Sequence, residues 1–354
     1  MTTIPRLRVS GTHYEVGRAV GLATAPTLRE AVDFDAQLPA GRSRDEQLAL
    51  ADRYRDVTHA GTPWLVEEID GAAEGAGVDP LALFAASIEE IWTVRPSQVT
   101  AGVVVDGRCS DLVAGPPATA DGHLWVAHTN DLSPASRDDV VAIEWRVPGE
   151  PVVFSLGIGP WISIGWNDVG LSLTGNELSP NDEVVGVPRL LMVREQLTAT
   201  TMDAAVAMAL REDRASSYNT VFATADGQVT NVEGSATDAE VEHLDARGRF
   251  AHTNHYACAR MTGYEGDPSY ARRSAVRLDR ARRLLADAPE GTVDAAWLRA
   301  ALADHETTPS ICRHPEQDSR VATAFWCVVD VTAGDIRYGL GNPCQPGEER
   351  YRFD

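Results

Sequence analysis

From Thr12 to about Trp92 the apolar residues recur at helical spacing in YEVGRAVGLATAPTLREAV, DEQLALADRYRDV, PWLVEEIDGAAEGAG and PLALFAASIEEIW, with Gly and Pro between the segments. This pattern predicts a helical block. At Val99 the period changes, and VTAGVVVDG, RCSDLVAG, HLWVAHTND, VVAIEWRV, PVVFSLG and ISIGWNDVGLSLTGNE read as short β-rich runs set apart by DG, PG and GP turn signals. Helical spacing returns in RLLMVREQL and MDAAVAMALRE. Strands follow in YNTVFATADGQVTNVE and VEHLDARGRFAHT, then an Arg-rich helix near Ser269 to Ala286 and a closing strand set in VATAFWCVVDVTAGDIRYGLG. Strands and helices in separate runs, with hairpin turns at residues 225–227 and 332–335, predict an α+β layered domain instead of a regular βαβ alternation. No repeat, low-complexity tract or linker divides the chain.

Composition removes several function classes. The 354 residues are 44% apolar, enough for a substantial core. No run of about 18 apolar residues is present and the N-terminal stretch lacks the apolar run of a secretory signal, so the expectation is a soluble, cytoplasmic protein with no membrane partner. The net charge of −21 repels phosphate backbones and anionic membranes, which argues against a nucleic-acid partner. Lysine is absent, so all 31 basic residues are arginine, and P-loop phosphate binding and lysine Schiff-base chemistry drop out. HExxH, GxSxG and a helix-opening GxGxxG are missing as well. The five cysteines, Cys109, Cys258, Cys312, Cys327 and Cys344, are odd in number and include no CxxC pair; neither a disulfide framework nor a zinc site is expected, and a reducing compartment fits.

What remains is Cys109, which opens a strand directly after an Asp-Gly-Arg turn, while the PPATADG hairpin returns the next strand beside it. If the bond between Arg108 and Cys109 were cut, the new α-amine would lie beside its own thiol with a pKa of ~8, fit to act as general base. The same thiol can make the cut by attacking the preceding carbonyl. The alternative is a small buried strand residue, since free cysteine is among the most buried types.

Five segments in this order and spacing, DGRCS (106–110), ADGHLWVAHTND (120–131), IGWNDVGLSLTGNE (164–177), AHTNHY (251–256) and SICRHPEQDSRVATAF (310–325), resemble the acyl-coenzyme A:isopenicillin-N acyltransferase family of cysteine N-terminal nucleophile (Ntn) hydrolases. The resemblance runs through nearly the whole chain. It implies a single domain with the four-layer αββα Ntn sandwich, processed into an α fragment of residues 1–108 and a β fragment of residues 109–354. It makes Cys109 the nucleophile and Arg108–Cys109 the cleavage site. One departure is Arg108, where the fungal acyltransferase has Gly; losing a residue that tolerates strained backbone angles would slow or prevent the cut.

The resemblance also assigns roles to other positions. Asp131 falls where the family places an aspartate near the nucleophile, to hold the α-ammonium or orient substrate; Asn130 takes that place if the alignment shifts by one, and the alternative is a turn aspartate. Asn254 matches an Asn-bearing motif whose amide donates to the oxyanion. Asn176 is a second donor or a substrate contact, or else a turn residue. Arg313 matches an arginine near the active site, able to fix the carboxylate of a substrate or of Asp131, or else it is a surface arginine. Cys312, His252, His255 and His314 are expected to be structural, because an N-terminal nucleophile needs no histidine partner.

The leading expectation is an amide hydrolase acting on a small acylated amine or amino-acid derivative through a Cys109 acyl-enzyme, with no metal or organic cofactor. The alternative is an acyltransferase that loads Cys109 from an acyl thioester such as acyl-coenzyme A and passes the acyl group to an amine; the acidic surface weighs against coenzyme A. A third reading, from another class, is an uncleaved homologue that only binds an acyl ligand.

Overall fold

In the computed structural model residues 3–92, 109–243, 248–315 and 321–354 are described. The run VTAGVVVDG, Arg108 and residues 316–320 of the last resemblance segment lie outside them.

The helical block consists of α1 (His13–Ala23), α2 (Ala25–Ala31), α3 (Arg44–Gly61), α4 (Pro63–Ala76) and α5 (Pro80–Ala86). Two of these helices start at capping boxes, Thr12 with Glu15 for α1 and Ser43 with Glu46 for α3, in which side chains satisfy the first unpaired N–H groups. Gly77 ends α4 in the left-handed region at φ +69°, where a Cβ would be strained. Helices α1 and α4 cross at backbone contact: a Cβ built on Gly17 would stand 1.9 Å from the Glu68 carbonyl oxygen, and one on Gly71 2.1 Å from that of Tyr14.

Before this block lies a strand that the periodicity did not single out, β1 (Arg6–Ser10), five residues of which only Val9 is buried. It pairs in parallel with β4 (Val140–Arg146) at the edge of a sheet continued by β5 (Val153–Ile158), β6 (Trp161–Asn167), β7 (Leu171–Asn176), β8 (Asn219–Thr224), β9 (Val229–Gly234) and β10 (Ala239–His243). The second sheet has the order β11 (Arg249–His252), β2 (Cys109–Ala114), β3 (Trp125–Leu132), β12 (Ala322–Asp330), β13 (Asp335–Leu340) and β14 (Glu349–Tyr351). The expected single run VEHLDARGRFAHT is therefore two strands, β10 and β11, one in each sheet. Helix α8 (Pro268–Asp287) matches the Arg-rich helical pattern, and α9 (Ala295–Leu302) adds a short helix that the pattern had not marked.

The two sheets face each other over a core that includes Val113, Val126, Phe154, Phe325 and Tyr338, with Phe154 stacked on Tyr351 at 3.8 Å. Burying each such aromatic contributes about 2–3 kcal/mol. Helices α1, α6 (Arg189–Gln196) and α7 (Met202–Ala209) cover the outside of the eight-stranded sheet, and α8 and α9 cover the six-stranded one. The layers are thus helix, sheet, sheet, helix, the αββα sandwich. No described helix is long and apolar enough to cross a membrane.

Candidate active site

Strand β2 runs antiparallel to β3 on one side and to β11 on the other; its first residue, Cys109, pairs with β3, while the pairing with β11 begins at Asp111. Cys109 pairs with Asn130, and Asp111 with His128, which puts these four side chains on one face by strand alternation. That face looks toward the other sheet. There Cys109 borders a cavity of ≈ 570 Å³ together with Asn130, Leu173, Asn176, Trp161 and Tyr218.

The backbone of Cys109 is held at both ends. Its N–H donates to Asn254 Oδ1 at 2.8 Å, and its carbonyl oxygen accepts from Arg277 Nη1 at 2.6 Å. Arg277 also donates to Ser110 Oγ at 2.7 Å and to Asn254 Oδ1 at 2.8 Å. The guanidinium fork thus ties the first two residues of β2 to the loop after β11, and a planar, permanently charged donor set suits this better than an ammonium would. Sequence reading missed Arg277. The signal was there: on α8 the buried positions Tyr270, Ser274, Leu278, Ala281 and Leu285 form one stripe, and Arg277 lies in it with no solvent exposure.

His128 and Asp111 were missed too. Both are fully buried in strands that are otherwise mostly apolar, and His128 Nδ1 meets Asp111 Oδ1 at 2.8 Å. Nε2 has no nitrogen or oxygen partner among the described residues and lies next to the Cys109 thiol. Burial alone would lower the pKa of His128, but the charge and hydrogen bond of Asp111, with the adjacent thiol, raise it to about 10. The ring is then an imidazolium at neutral pH, beside the Cys109 side chain.

Asp131 follows Asn130 and, by alternation, points to the opposite face, the side of α8. It is fully buried and accepts from Thr323 Oγ1 at 2.8 Å. Burial raises its pKa to about 6, against the pull of Arg313, Arg277, the Thr323 hydroxyl and His128. Arg313 is buried beside it instead of lying on the surface, and its backbone is clamped, with N–H donating to Thr323 Oγ1 and the carbonyl accepting from Thr323 N–H and from Asn342 Nδ2. The pairing of β12 with β3 shifts register between Thr323 and Phe325, next to the Thr323 partner of Asp131.

Of the two asparagines, Asn176 borders the cavity from the end of β7, and Asn254 lies in the loop after β11 against the Cys109 backbone. Asn254 spends its oxygen on Cys109 N–H and Arg277, while its Nδ2 donates to the Glu177 carbonyl at 3.1 Å, so the amide expected to serve an oxyanion has a resting acceptor on the protein. Asn176 ends β7, and its Oδ1 is fixed by His252 Nδ1 at 2.8 Å and Asn219 Nδ2 at 3.3 Å. Its Nδ2 is buried with no hydrogen-bond partner among the described residues, in a residue that borders the cavity. His252 in turn meets Glu233 Oε1 at 2.9 Å, so it positions the Asn176 amide and stays out of reach of the thiol's chemistry. His255 bonds Ser274 Oγ at 2.9 Å and is lowered by burial, and by His252, to about 4. Cys312 and His314 lie together elsewhere, with Cys344 and His305. Arg108 and its bond to Cys109 are outside the described residues.

A family model described as acyl-coenzyme A:6-aminopenicillanic acid acyl-transferase matches residues 118–345. A relative of Emericella nidulans, the acyl-coenzyme A:6-aminopenicillanic-acid-acyltransferase 40 kDa form, is 25% identical over 353 residues, covering 96% of this chain and 93% of its own. Among solved structures, a mutant conjugated bile acid hydrolase from Clostridium perfringens has a TM-score of 0.47 at 12% identity, over 70% of this chain and 97% of its own. Penicillin V acylase from Agrobacterium tumefaciens has a TM-score of 0.43 at 11% identity, over 69% and 86%. With the family model matched across more than half of its length, the chain belongs to the acyl-coenzyme A:6-aminopenicillanic acid acyl-transferase family.

Proposed function

We propose that the chain cuts itself between Arg108 and Cys109 and then hydrolyses the amide bond of a small acylated amine through a Cys109 acyl-enzyme. The observation that carries this reading is a cysteine opening a central strand at a cavity, with its own N–H and C=O both held, by Asn254 and Arg277. In the first event the Cys109 sulfur attacks the Arg108 carbonyl, the C–N bond breaks to free the Cys109 α-amine as a thioester forms, and water cleaves that thioester to the Arg108 carboxylate and the Cys109 thiol. In turnover the Cys109 thiol gives its proton to the α-amine as its sulfur adds to the substrate carbonyl, the amine passes that proton to the leaving amine, and water resolves the thioester.

In this reading Asn254 Oδ1 and Asp131 orient the α-amine, and the Asn254 and Asn176 amides donate to the oxyanion, Asn254 releasing the Glu177 carbonyl as charge develops. Arg313 holds Asp131 in place. The step requires no metal or organic cofactor.

The cavity's charge bears on the substrate. Glu30, Asp33, Glu89, Asp139 and Glu177 line it, and no arginine or histidine does among the described residues. Arg189 pairs with Glu89 and Glu177, and the remaining Glu30, Asp33 and Asp139 oppose the phosphates of coenzyme A and favour an amine that is cationic. Acyl transfer to an amine remains the second reading, supported by the family's description and by the Emericella nidulans relative. A cytoplasmic setting belongs to the same proposal, supported by five free cysteines.

The test is incubation of the purified protein with a panel of N-acyl amines and N-acyl amino acids, with released amine and intact fragment mass followed together. An acyl adduct on a fragment whose sequence starts CSDLV is expected. A single uncut chain with no adduct would support the binding homologue, and Cys109→Ala processed into normal fragments would show that the cut is external.

A further inference from the structure

Away from Cys109, four donor side chains from three separate stretches of chain converge: His305 after α9, Cys312 and His314 in the segment that carries Arg313, and Cys344 after β13. Their sulfur and imidazole nitrogen atoms all lie within 4.8 Å of one another. We propose that these residues bind one zinc ion as a closed Cys2His2 site whose role is to fix the Arg313 segment.

The separations carry the assignment. Bonds of ~2.3 Å to sulfur and ~2.0–2.1 Å to nitrogen in a tetrahedron set ligand edges of about 3.8 Å for S···S, about 3.5 Å for S···N and about 3.3 Å for N···N. Cys312 Sγ and Cys344 Sγ are 3.7 Å apart, His314 Nε2 is 3.6 Å from Cys312 Sγ and 3.3 Å from Cys344 Sγ, and the His314 and His305 Nε2 atoms are 3.1 Å apart. A disulfide would require the sulfurs at about 2.05 Å and would give neither imidazole a reason to be there. Two nitrogens within 3.1 Å at the end of converging rings are what a shared cation explains. Two thiolates and two imidazoles in a tetrahedral arrangement select zinc among the common divalent ions.

A second layer supports the sulfur ligand. Asn342 Nδ2 donates to Cys312 Sγ at 3.3 Å and to the Arg313 carbonyl at 2.7 Å, so one amide joins the ligand to the backbone of the active-site arginine. Cys312 is buried while His305 and Cys344 are exposed, which opens an entry path from the surface. Four protein ligands leave no position for water or substrate, so the ion would be structural. Zinc would tie Cys312 and His314, the neighbours of Arg313 on either side, to the turn after β13. The spacing, six residues from His305 to Cys312, one to His314 and twenty-nine to Cys344, has no CxxC pair, the signal on which reading such a site from sequence depends.

The full chain should be purified with a thiol reductant, loaded with zinc chloride and desalted, and its metal content measured by mass spectrometry. About one zinc per chain is expected, retained in Cys258→Ser and lost in Cys344→Ser and in His305→Ala. Because the variants risk misfolding, cobalt loading of the unaltered chain provides an independent reading: tetrahedral ligand-field bands with thiolate-to-cobalt charge transfer are expected. Zinc below about a tenth of an equivalent, a cobalt spectrum without thiolate charge transfer, or a Cys312–Cys344 disulfide in the reduced preparation would each overturn the proposal. None of these readouts depends on turnover, so failure of the zinc site and failure of the Cys109 chemistry are distinguishable.

Discussion

Asn254 Oδ1 accepts the backbone N–H of Cys109 at 2.8 Å, across 145 positions of sequence. One side-chain amide therefore touches the atom that would become the α-amine, while its other end, Nδ2, is the donor proposed for the oxyanion. The two duties separate by substitution. Asn254→Asp keeps the acceptor for Cys109 N–H and for Arg277 but cannot donate, so processing should survive while kcat of the mature protein falls by roughly 10² to 10³ with little change in KM. Asn254→Ala should lose both. A mature Asn254→Asp protein with unchanged kcat would transfer the oxyanion role to Asn176.

The imidazolium of His128 should show in the pH dependence of stability. The native pKa of about 10 stands above the ordinary 6.5, so the native chain holds an extra proton between these values and the stabilisation declines as pH rises through that window. Unfolding curves for His128→Gln should lack this alkaline decline.

Asp131 predicts an acid limb. With a carboxyl raised from 3.8 to about 6, mainly by burial, the charged form proposed to hold the α-ammonium is lost below about pH 6, and the rate should fall there. Asp131→Asn should turn over slowly and without that limb. For folding the sign is opposite to ordinary acid denaturation: the native state binds the extra proton between about 3.8 and about 6, so this group's contribution diminishes as pH rises across the window.

Gly17 tests the helical layer independently of chemistry. A methyl group there meets the Glu68 carbonyl at 1.9 Å, so α1 and α4 must separate. Gly17→Ala should cost about 1–3 kcal/mol in urea unfolding, against a much smaller change for Gly263→Ala, where nothing stands within 4 Å of the added atom.

How far the sequence could be read follows from which kind of signal each feature leaves. Helices α1, α3, α4 and α8 and the hairpins β8–β9 and β12–β13 are set by local periodicity and turn chemistry, and they were legible. Strand β1 was not, because three of its five residues are exposed and its partner β4 is more than a hundred residues away. In the site, Cys109 stood out by its place after a turn at a strand start. Asp131, Asn176, Asn254 and Arg313 came only from the family resemblance, since no spacing rule brings two sheets together. Arg277, Asp111 and His128 left a weaker mark, charged or titratable residues on stripes that are otherwise buried, and weighing that anomaly would have found them. The Cys312 cluster left none, because its ligands meet through the tertiary fold.

The edge strand β1 also decides what a cut before Cys109 would produce. It lies in the stretch ahead of the cut, yet it is clasped in parallel along five residues of β4, from the stretch behind it, with the α1–α5 block and strands β2 and β3 lying between them in the chain. Hydrolysis would thus turn one chain into a noncovalent heterodimer, with the smaller piece a permanent subunit and not a propeptide that departs. The two pieces should elute together on gel filtration and part only in denaturant. Refolding from the separated pieces should be a bimolecular event whose rate rises with concentration, whereas the uncut precursor closes the same pair of strands within a single molecule.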